Sequence, residues 1–311
     1  MQYRQLGNTD LKISQIGYGA SPLGSVFRNI SESEGIKTVH TALDLGINYI
    51  DVSPYYGDTV AETVLGKALK TVPRDKFILS TKAGRYGADF ADFDFSAKRI
   101  EASFEDSCAR LGVDEIDILF LHDIEFAKPA QILEEAIPCI QNMKKAGKIR
   151  YIGVTGYPLK VFTDVIQNSS IDCILSYCRY ALYDSSLTKV IPSLDQSNVG
   201  IINASPTGMG LLTERGAPDW HPGNHALKQA SLEAIKLCQS RGVDITALAL
   251  QYAIDHPSIV STLVGTANPQ NIVKNVQWSA SKPDSALVEE IQALFANIEC
   301  TWPSGYSENQ D

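Results

Sequence analysis

The sequence predicts an α/β protein, a (β/α)8 barrel of the TIM type with an N-terminal β-hairpin, and three observations predict it. Eight short apolar runs recur along the 311 residues, at 13–19, 47–53, 76–82, 116–122, 149–155, 171–177, 200–206 and 261–266. They are nearly continuous in apolar residues, as strands buried on both faces are. Helical periodicity fills the segments between them, and no linker or low-complexity stretch interrupts the alternation. Repeated strand–helix units imply right-handed crossovers and a closed parallel sheet, so residues 1–311 read as one barrel domain. An open doubly wound sheet is the competing architecture, but no G-x-G-x-x-G turn follows any of the eight runs.

Taken in order, residues 3–14 (YRQLGNTDLKIS) read as a hairpin turning at Gly7–Asn8, placed to plug the barrel floor. After the first barrel run, Ser31 with Glu34 forms a capping-box pattern ahead of Ile36, Val39 and Leu43, and Gly46 ends that helix. Thr59 with Glu62 repeats the pattern ahead of Val64 and Leu65. Ser96 is placed to cap a helix with the stripe Ile100, Phe104, Cys108 and Leu111. Ile132, Leu133, Ala136, Ile137, Ile140 and Met143 form the next stripe, closed by Gly147 and carrying Pro138 as a point of kinking. Asp184 is placed to cap the helix bearing Leu187, Val190, Ile191 and Leu194.

Composition narrows the function. A net charge of −9 and a pI near 5.1 repel phosphate backbones, which excludes a nucleic-acid partner. No apolar run reaches the ~18 residues of a membrane span, and the first residues lack the apolar core of a signal peptide. The six cysteines form no C-x-x-C pair and read as reduced thiols, so a cytoplasmic location is expected.

Barrel enzymes place their chemistry at the C-terminal ends of the strands. The second run ends near Asp51, the third at Lys82 and the fourth at His122, and the loop after the second carries Tyr55, Tyr56 and Gly57. Four such groups at successive strand ends converge on one pocket. The chemistry they suggest is proton transfer coupled to hydride transfer. A phenol titrates near ~10, and a neighbouring ammonium lowers that value. Lys82 is expected to lower the pKa of Tyr56, Asp51 to hold Lys82 charged, and His122 to donate a hydrogen bond to the substrate oxygen. No second histidine lies within metal-ligand spacing and no G-x-S-x-G elbow is present, so neither metal-assisted hydride transfer nor serine acyl transfer is supported.

At these residues the chain resembles the aldo-keto reductase superfamily, over essentially its whole length. Asp51 in DVS, Tyr56 before Gly57, Glu62, Leu65 and Gly66 in E-x-x-L-G, then Lys82 and His122, match the family's pattern in order. The resemblance implies that Asp51, Tyr56, Lys82 and His122 are catalytic, with Tyr56 and not Tyr55 as the proton carrier. It also implies a nicotinamide cofactor. GVTG (153–156) stands where the family has G-V/I-S-N. Thr155 keeps a hydroxyl there, but Gly156 replaces the Asn that helps hold the carboxamide, and the family's Gln is absent near Ser176. Ser176, Ser205, Gly208, Gly210 and Leu211 are the further cofactor candidates, the last four in a pyrophosphate loop. Gly265, Thr266, Asn271 and Asn275, on the last strand and its helix, are those for the adenosine phosphate.

Within the superfamily the chain is most similar to the plant-type L-galactose dehydrogenases, through segments such as GASPLGSVF (19–27), SPYYG (53–57) and TWPSG (301–305). That similarity implies oxidation of an aldose at C1 to the lactone, with NAD, by a monomer or homodimer acting on a small sugar. Tyr55, Asp123, Arg179, Trp220 and Trp302 are the candidate sugar contacts, with His221 beside Trp220 in the same polar loop. Two other readings stay open: an NADPH-dependent general aldehyde or ketone reductase, and a cofactor-sensing regulatory subunit on the same barrel.

Overall fold

The computed structural model describes residues 1–26 and 28–311, so Phe27, the last residue of the 19–27 segment, lies outside the described residues. Strands β1 (Tyr3–Gln5) and β2 (Lys12–Ser14) pair antiparallel as the N-terminal hairpin. Eight parallel strands close the barrel: β3 (Ile16–Gly19), β4 (Tyr49–Asp51), β5 (Ile78–Ala83), β6 (Ile116–Leu121), β7 (Ile149–Gly156), β8 (Cys173–Tyr177), β9 (Gly200–Ala204) and β10 (Ile259–Gly265). They run in chain order around the barrel, and β10 closes on β3.

The first predicted run is corrected. Residues 13–19 divide at Gln15 into the second hairpin strand and the first barrel strand. The division lets Leu6, Leu11 and Ile13 turn under the barrel and pack on its inner residues Tyr49, Ile118, Phe120, Cys173, Leu175 and Ile202. Arg4 ties the hairpin down by donating to the carbonyls of Ile254, His256 and Ile259.

Inward and outward residues alternate along each strand, as the pleat requires. On β4 and β6, Tyr49, Ile118 and Phe120 face the barrel interior, whereas Ile50, Leu119 and Leu121 pack against the helices. Helices Glu32–Asp44, Val60–Leu69, Ala97–Leu111 and Lys160–Asn168 cover the outside, with His225–Ser240, Ile245–Asp255, Pro269–Trp278 and Ser285–Phe295 completing the ring.

Several termini follow the local chemistry read from the sequence. Ser31 Oγ accepts from Glu34 N–H at 3.2 Å and Ser96 Oγ from Arg99 N–H at 3.4 Å. The Thr59–Glu62 capping box does not form. Thr59 sits at φ +70° without a side-chain cap, and Glu62 is buried on other partners. Asp184 accepts from Ser186 N–H at 2.8 Å and starts a 3-10 turn, Ser186–Lys189, with the α-helix beginning only at Ile191. The helix changes type at Pro138. A π-helical stretch, Ile132–Ala136, precedes it and hands over to helix Ile137–Lys145, consistent with the amide that proline removes from the ladder.

Candidate active site

The alternation fixes where the four catalytic candidates go. Asp51 is the last residue of β4 and shares the inward face of Tyr49; Lys82 shares that of Ser80; His122 follows β6 in the phase of Phe120. All three are buried at the mouth. A hydrogen-bonded chain joins Asp51 and Lys82 from below. Tyr49 Oη and Ser80 Oγ are 2.9 Å apart, Ser80 Oγ donates to Asp51 Oδ1 at 2.7 Å, and Lys82 Nζ donates to Asp51 Oδ2 at 2.7 Å. The ammonium's other two donors go to Val52 O at 2.8 Å and Tyr56 Oη at 3.2 Å, so all three of its hydrogens are engaged.

The loop that carries Tyr56 explains the pairing of tyrosine with glycine. Gly57 has φ +62°, and a Cβ there would sit 2.2 Å from Gly24 O. No other residue lets the Tyr56 loop close on the β3 loop. Behind the site, Glu62 anchors helix Val60–Leu69, with Oε1 accepting from Thr81 Oγ1 at 2.6 Å and Oε2 from Arg110 Nε at 2.7 Å. The E-x-x-L-G pattern is therefore a mounting for the tyrosine loop.

Electrostatics follow from burial. Burial opposes the charge of Lys82, but the attraction of Asp51 and Tyr56 and their hydrogen bonds outweigh it, so the ammonium is held above its ordinary value. Burial likewise raises the Asp51 carboxyl against the pull of Lys82. The expectation for Tyr56 is corrected. Burial pushes its phenol up, and although Lys82 pulls it down, Asp51 and Asp123 push it up again; the net direction is upward. Lys82 shares its charge with a carboxylate 2.7 Å away, which leaves too little field for the phenol. Burial holds His122 well below its ordinary value, so the imidazole is neutral at pH 7. Its ring meets that of Tyr56 edge-on at 5.8 Å between centroids.

Sequence reasoning missed Arg85. It donates to Asp123 Oδ2 at 2.6 Å and lies over the Tyr55 ring at 3.9 Å, with Phe93 and Phe126 also beside it. Asp123 adopts φ +54° and its other oxygen accepts from Thr155 Oγ1 at 3.0 Å. Burial opposes ionisation of Asp123, but the charge of Arg85 and the hydrogen bonds from Arg85 and Thr155 hold its carboxyl below the usual range. Arg85 stands three residues beyond Lys82, just past the end of β5, and that position was its signal. Ser53 and Glu125 were also missed. Ser53 lies within SPYYG (53–57), read there for its tyrosines.

The structure brings Tyr55, Tyr56, Lys82, Asp51, His122, Asp123 and Thr155 together and separates others. Arg179 is buried and committed elsewhere, 3.1 Å from Asp184 Oδ2 and 2.7 Å from Asp311 Oδ2, so its expected role as a sugar contact is corrected to an ion-paired clamp. Trp302 stacks on Tyr157 at 4.5 Å, and Trp220 is exposed on the loop after β9, beside His221. Ser176 is moved to the outward face. Its neighbours Cys173 and Leu175 point into the barrel, whereas Ile174 packs on the helices, and Ser176 shares the phase of Ile174.

A nicotinamide nucleotide fits what remains. Gly19 and Gly265 pair at the mouth between β3 and β10, where a Cβ on Gly19 would meet nothing closer than 3.7 Å and on Gly265 nothing closer than 3.4 Å. Ser205, Gly208 and Gly210 turn the loop after β9 through positive φ, and Leu211 is buried beneath that loop. Thr266 Oγ1 accepts from Asn268 N–H and Asn271 Nδ2, which shapes the start of helix Pro269–Trp278, where Asn275 also lies. A helix start of this kind suits a phosphate. When bound, the nicotinamide supplies the hydride acceptor or donor.

A parallel barrel with a buried Asp–Lys–Tyr chain and a neutral histidine at its mouth defines a nicotinamide-linked oxidoreductase. The aldo/keto reductase family profile matches residues 15–295, and the chain belongs to that family. It is 46% identical to the L-galactose dehydrogenase of Arabidopsis thaliana, over 99% of both chains. It is 32% identical to the D-arabinose 1-dehydrogenase of Saccharomyces cerevisiae over 90% of both. An aldo-keto reductase from Bacillus halodurans, solved in its holo form, superposes with a TM-score of 0.79 at 26% identity, covering both chains completely. Among the described residues no helix is long and apolar enough to cross a membrane, and no group of three or more His, Cys, Asp or Glu is placed to hold a metal.

Proposed function

We propose that this protein oxidises the C1 hydroxyl of an aldose, L-galactose or a relative such as L-fucose, to the lactone, with NAD as hydride acceptor. The observation that carries the reading is the mouth itself. A proton acceptor (Tyr56) and a neutral imidazole (His122) frame one oxygen, and an ionised Asp123–Arg85 pair beside them offers groups for neighbouring hydroxyls. The similarity to an L-galactose dehydrogenase and a D-arabinose 1-dehydrogenase, over 99% and 90% of the chain, supports the reading. In the proposed step the C1 hydroxyl proton passes to Tyr56 as the hydride leaves C1, giving lactone and reduced nicotinamide. A site whose polar groups pair with hydroxyls discriminates against substrates lacking them, by up to ~10⁴.

NAD is preferred over NADP in this reading. A 2′-phosphate needs a cation. Gly265, Thr266, Ala267, Asn268, Pro269, Gln270 and Asn271 include none, and the first is Lys274. The test is kcat/KM for NAD and NADP on L-galactose, L-fucose, D-arabinose and simple aldehydes, with the lactone identified as product. A simple aldehyde with NADPH outperforming every sugar with NAD overturns the reading.

A further inference from the structure

Ser53 is fully buried two residues beyond Asp51. Its Oγ accepts the backbone N–H of Tyr55 at 3.1 Å and lies 3.0 Å from His122 Nδ1. Its carbonyl accepts the backbone N–H of Tyr56 at 3.1 Å. One residue therefore touches both groups that frame the substrate oxygen.

A hydroxyl has one proton to give and two lone pairs. At Ser53 the Tyr55 amide already occupies one lone pair, and Nδ1 of His122 stands where the hydroxyl proton would go. A proton on Nδ1 would leave the serine hydrogen without an acceptor in a place water does not reach. Such a buried unpaired donor is costly. The far side of the ring gives the same answer. His122 Nε2 lies 3.7 Å from Asp123 Oδ2, a carboxylate kept ionised by Arg85. A lone pair on Nε2 facing that oxygen is repelled, whereas an N–H is attracted. Lys82, Arg85, Tyr55 and Tyr56 also face the ring, and the two cations oppose a charge on it and so keep it neutral.

We infer that Ser53 is a positioning residue that donates its hydroxyl hydrogen to His122 Nδ1 and so holds the imidazole in the Nε2–H tautomer, with its donor aimed at the substrate oxygen. The neutrality of the ring makes the tautomer matter, because a protonated ring would be a donor at both nitrogens. In the other tautomer Nε2 would present a lone pair to the oxygen it must polarise. The inference rests on the proposed role of His122, and the test separates the two.

The measurement is the two-bond proton–nitrogen NMR spectrum of ¹⁵N-histidine-labelled protein at pH 7. The chain has five histidines, and a His122→Gln variant assigns the signal. The wild type is expected to show an unprotonated Nδ1 and a protonated Nε2. Ser53→Ala is expected to give a mixed or reversed tautomer and a loss of kcat of about tenfold, the factor that goes with stranding one buried polar group, while KM for the cofactor stays unchanged. Ser53→Thr keeps the hydroxyl and is expected to restore both the tautomer and kcat. A protonated Nδ1 in the wild type overturns the inference, and that spectrum decides even if Ser53→Ala fails to fold. A wild-type tautomer in folded Ser53→Ala also overturns it. A changed tautomer with unchanged kcat overturns the positioning role and shows that the reaction does not use His122 as proposed.

Discussion

Replacing Lys82 by methionine tests the catalytic chain and its electrostatics in one variant. The change keeps an unbranched side chain in the barrel and removes three hydrogen bonds, to Asp51 Oδ2, Val52 O and Tyr56 Oη. Asp51 would then be a carboxylate with Ser80 Oγ as its remaining side-chain donor, inside a fully buried pocket. Breaking a buried pair by removing one partner costs about 3–5 kcal/mol. For 311 residues the unfolding entropy is roughly 0.65 kcal/mol/K, so Tm should fall by about 5–8 °C. The loss should depend on pH. Burial already raises the Asp51 carboxyl, and removing Lys82 raises it further. A raised folded-state value means stability that is present in acid and lost as pH rises, so the Tm deficit should be smaller near pH 5 than near pH 8. Turnover should fall by about 10²–10⁴ at either pH. Adding Asp51→Leu removes the stranded charge and should return most of the Tm without returning turnover. Scanning calorimetry at the two pH values with steady-state kinetics provides the assay. A Tm deficit independent of pH, or a double variant no more stable than the single, refutes the reasoning.

Three further outcomes follow from the same geometry. Tyr56→Phe should keep its fold and cofactor binding and lose more than nine-tenths of turnover, whereas Tyr55→Phe should be far milder, because it keeps the ring on which Arg85 lies; steady-state kinetics with cofactor titration checks both. In the oxidative direction kcat/KM should keep rising through pH 9 and show no step from His122 near pH 6–7, since the phenol is held above and the imidazole well below its ordinary value; a plateau already reached at pH 7 contradicts this. Glu125 is fully buried, its Oε1 accepting from Tyr157 N–H and Ser304 Oγ, and burial raises its carboxyl to about 8. The wild type should therefore lose stability as pH rises from the ordinary carboxyl range to 8, and Glu125→Gln should not, so the Tm gap between them should widen to pH 8 and then level off.

The barrel and the gathering of Asp51, Tyr56, Lys82 and His122 at its mouth were legible for a physical reason. Strands buried on both faces must be apolar throughout, so a polar residue at the end of such a run needs another explanation, and Asp51, Lys82 and His122 each stood out against that background. Features that depend on phase or on distant partners were not legible. Ser176 ends an apolar run just as Lys82 does, but one position decides whether a side chain enters the barrel or the helical layer. Arg179 has the charge of a ligand-binding residue, yet its partners, Asp184 and Asp311, include one more than a hundred residues away. The Thr59–Glu62 pattern failed because Thr81 and Arg110 claim the Glu62 carboxylate. The direction of the Tyr56 titration was misjudged because the sequence showed the lysine but neither the burial of the phenol nor the carboxylates beside it.

The hairpin under the barrel has a consequence for the timing of folding. Arg4 binds carbonyls at Ile254, His256 and Ile259, and β3 closes on β10, so the first strands have their seats some 250 residues later in the chain. At ~5–20 residues per second, a ribosome releases the hairpin roughly 10–50 s before the strand that completes its site. Through that interval Leu6, Leu11 and Ile13 have only an incomplete floor to cover, and β3 lacks its β10 neighbour on one edge. Closure is thus the last event and not a local one, which predicts slow folding for a protein of this size. A cell making it in quantity must keep an unfinished, sticky sheet from its copies until the final quarter of the chain arrives.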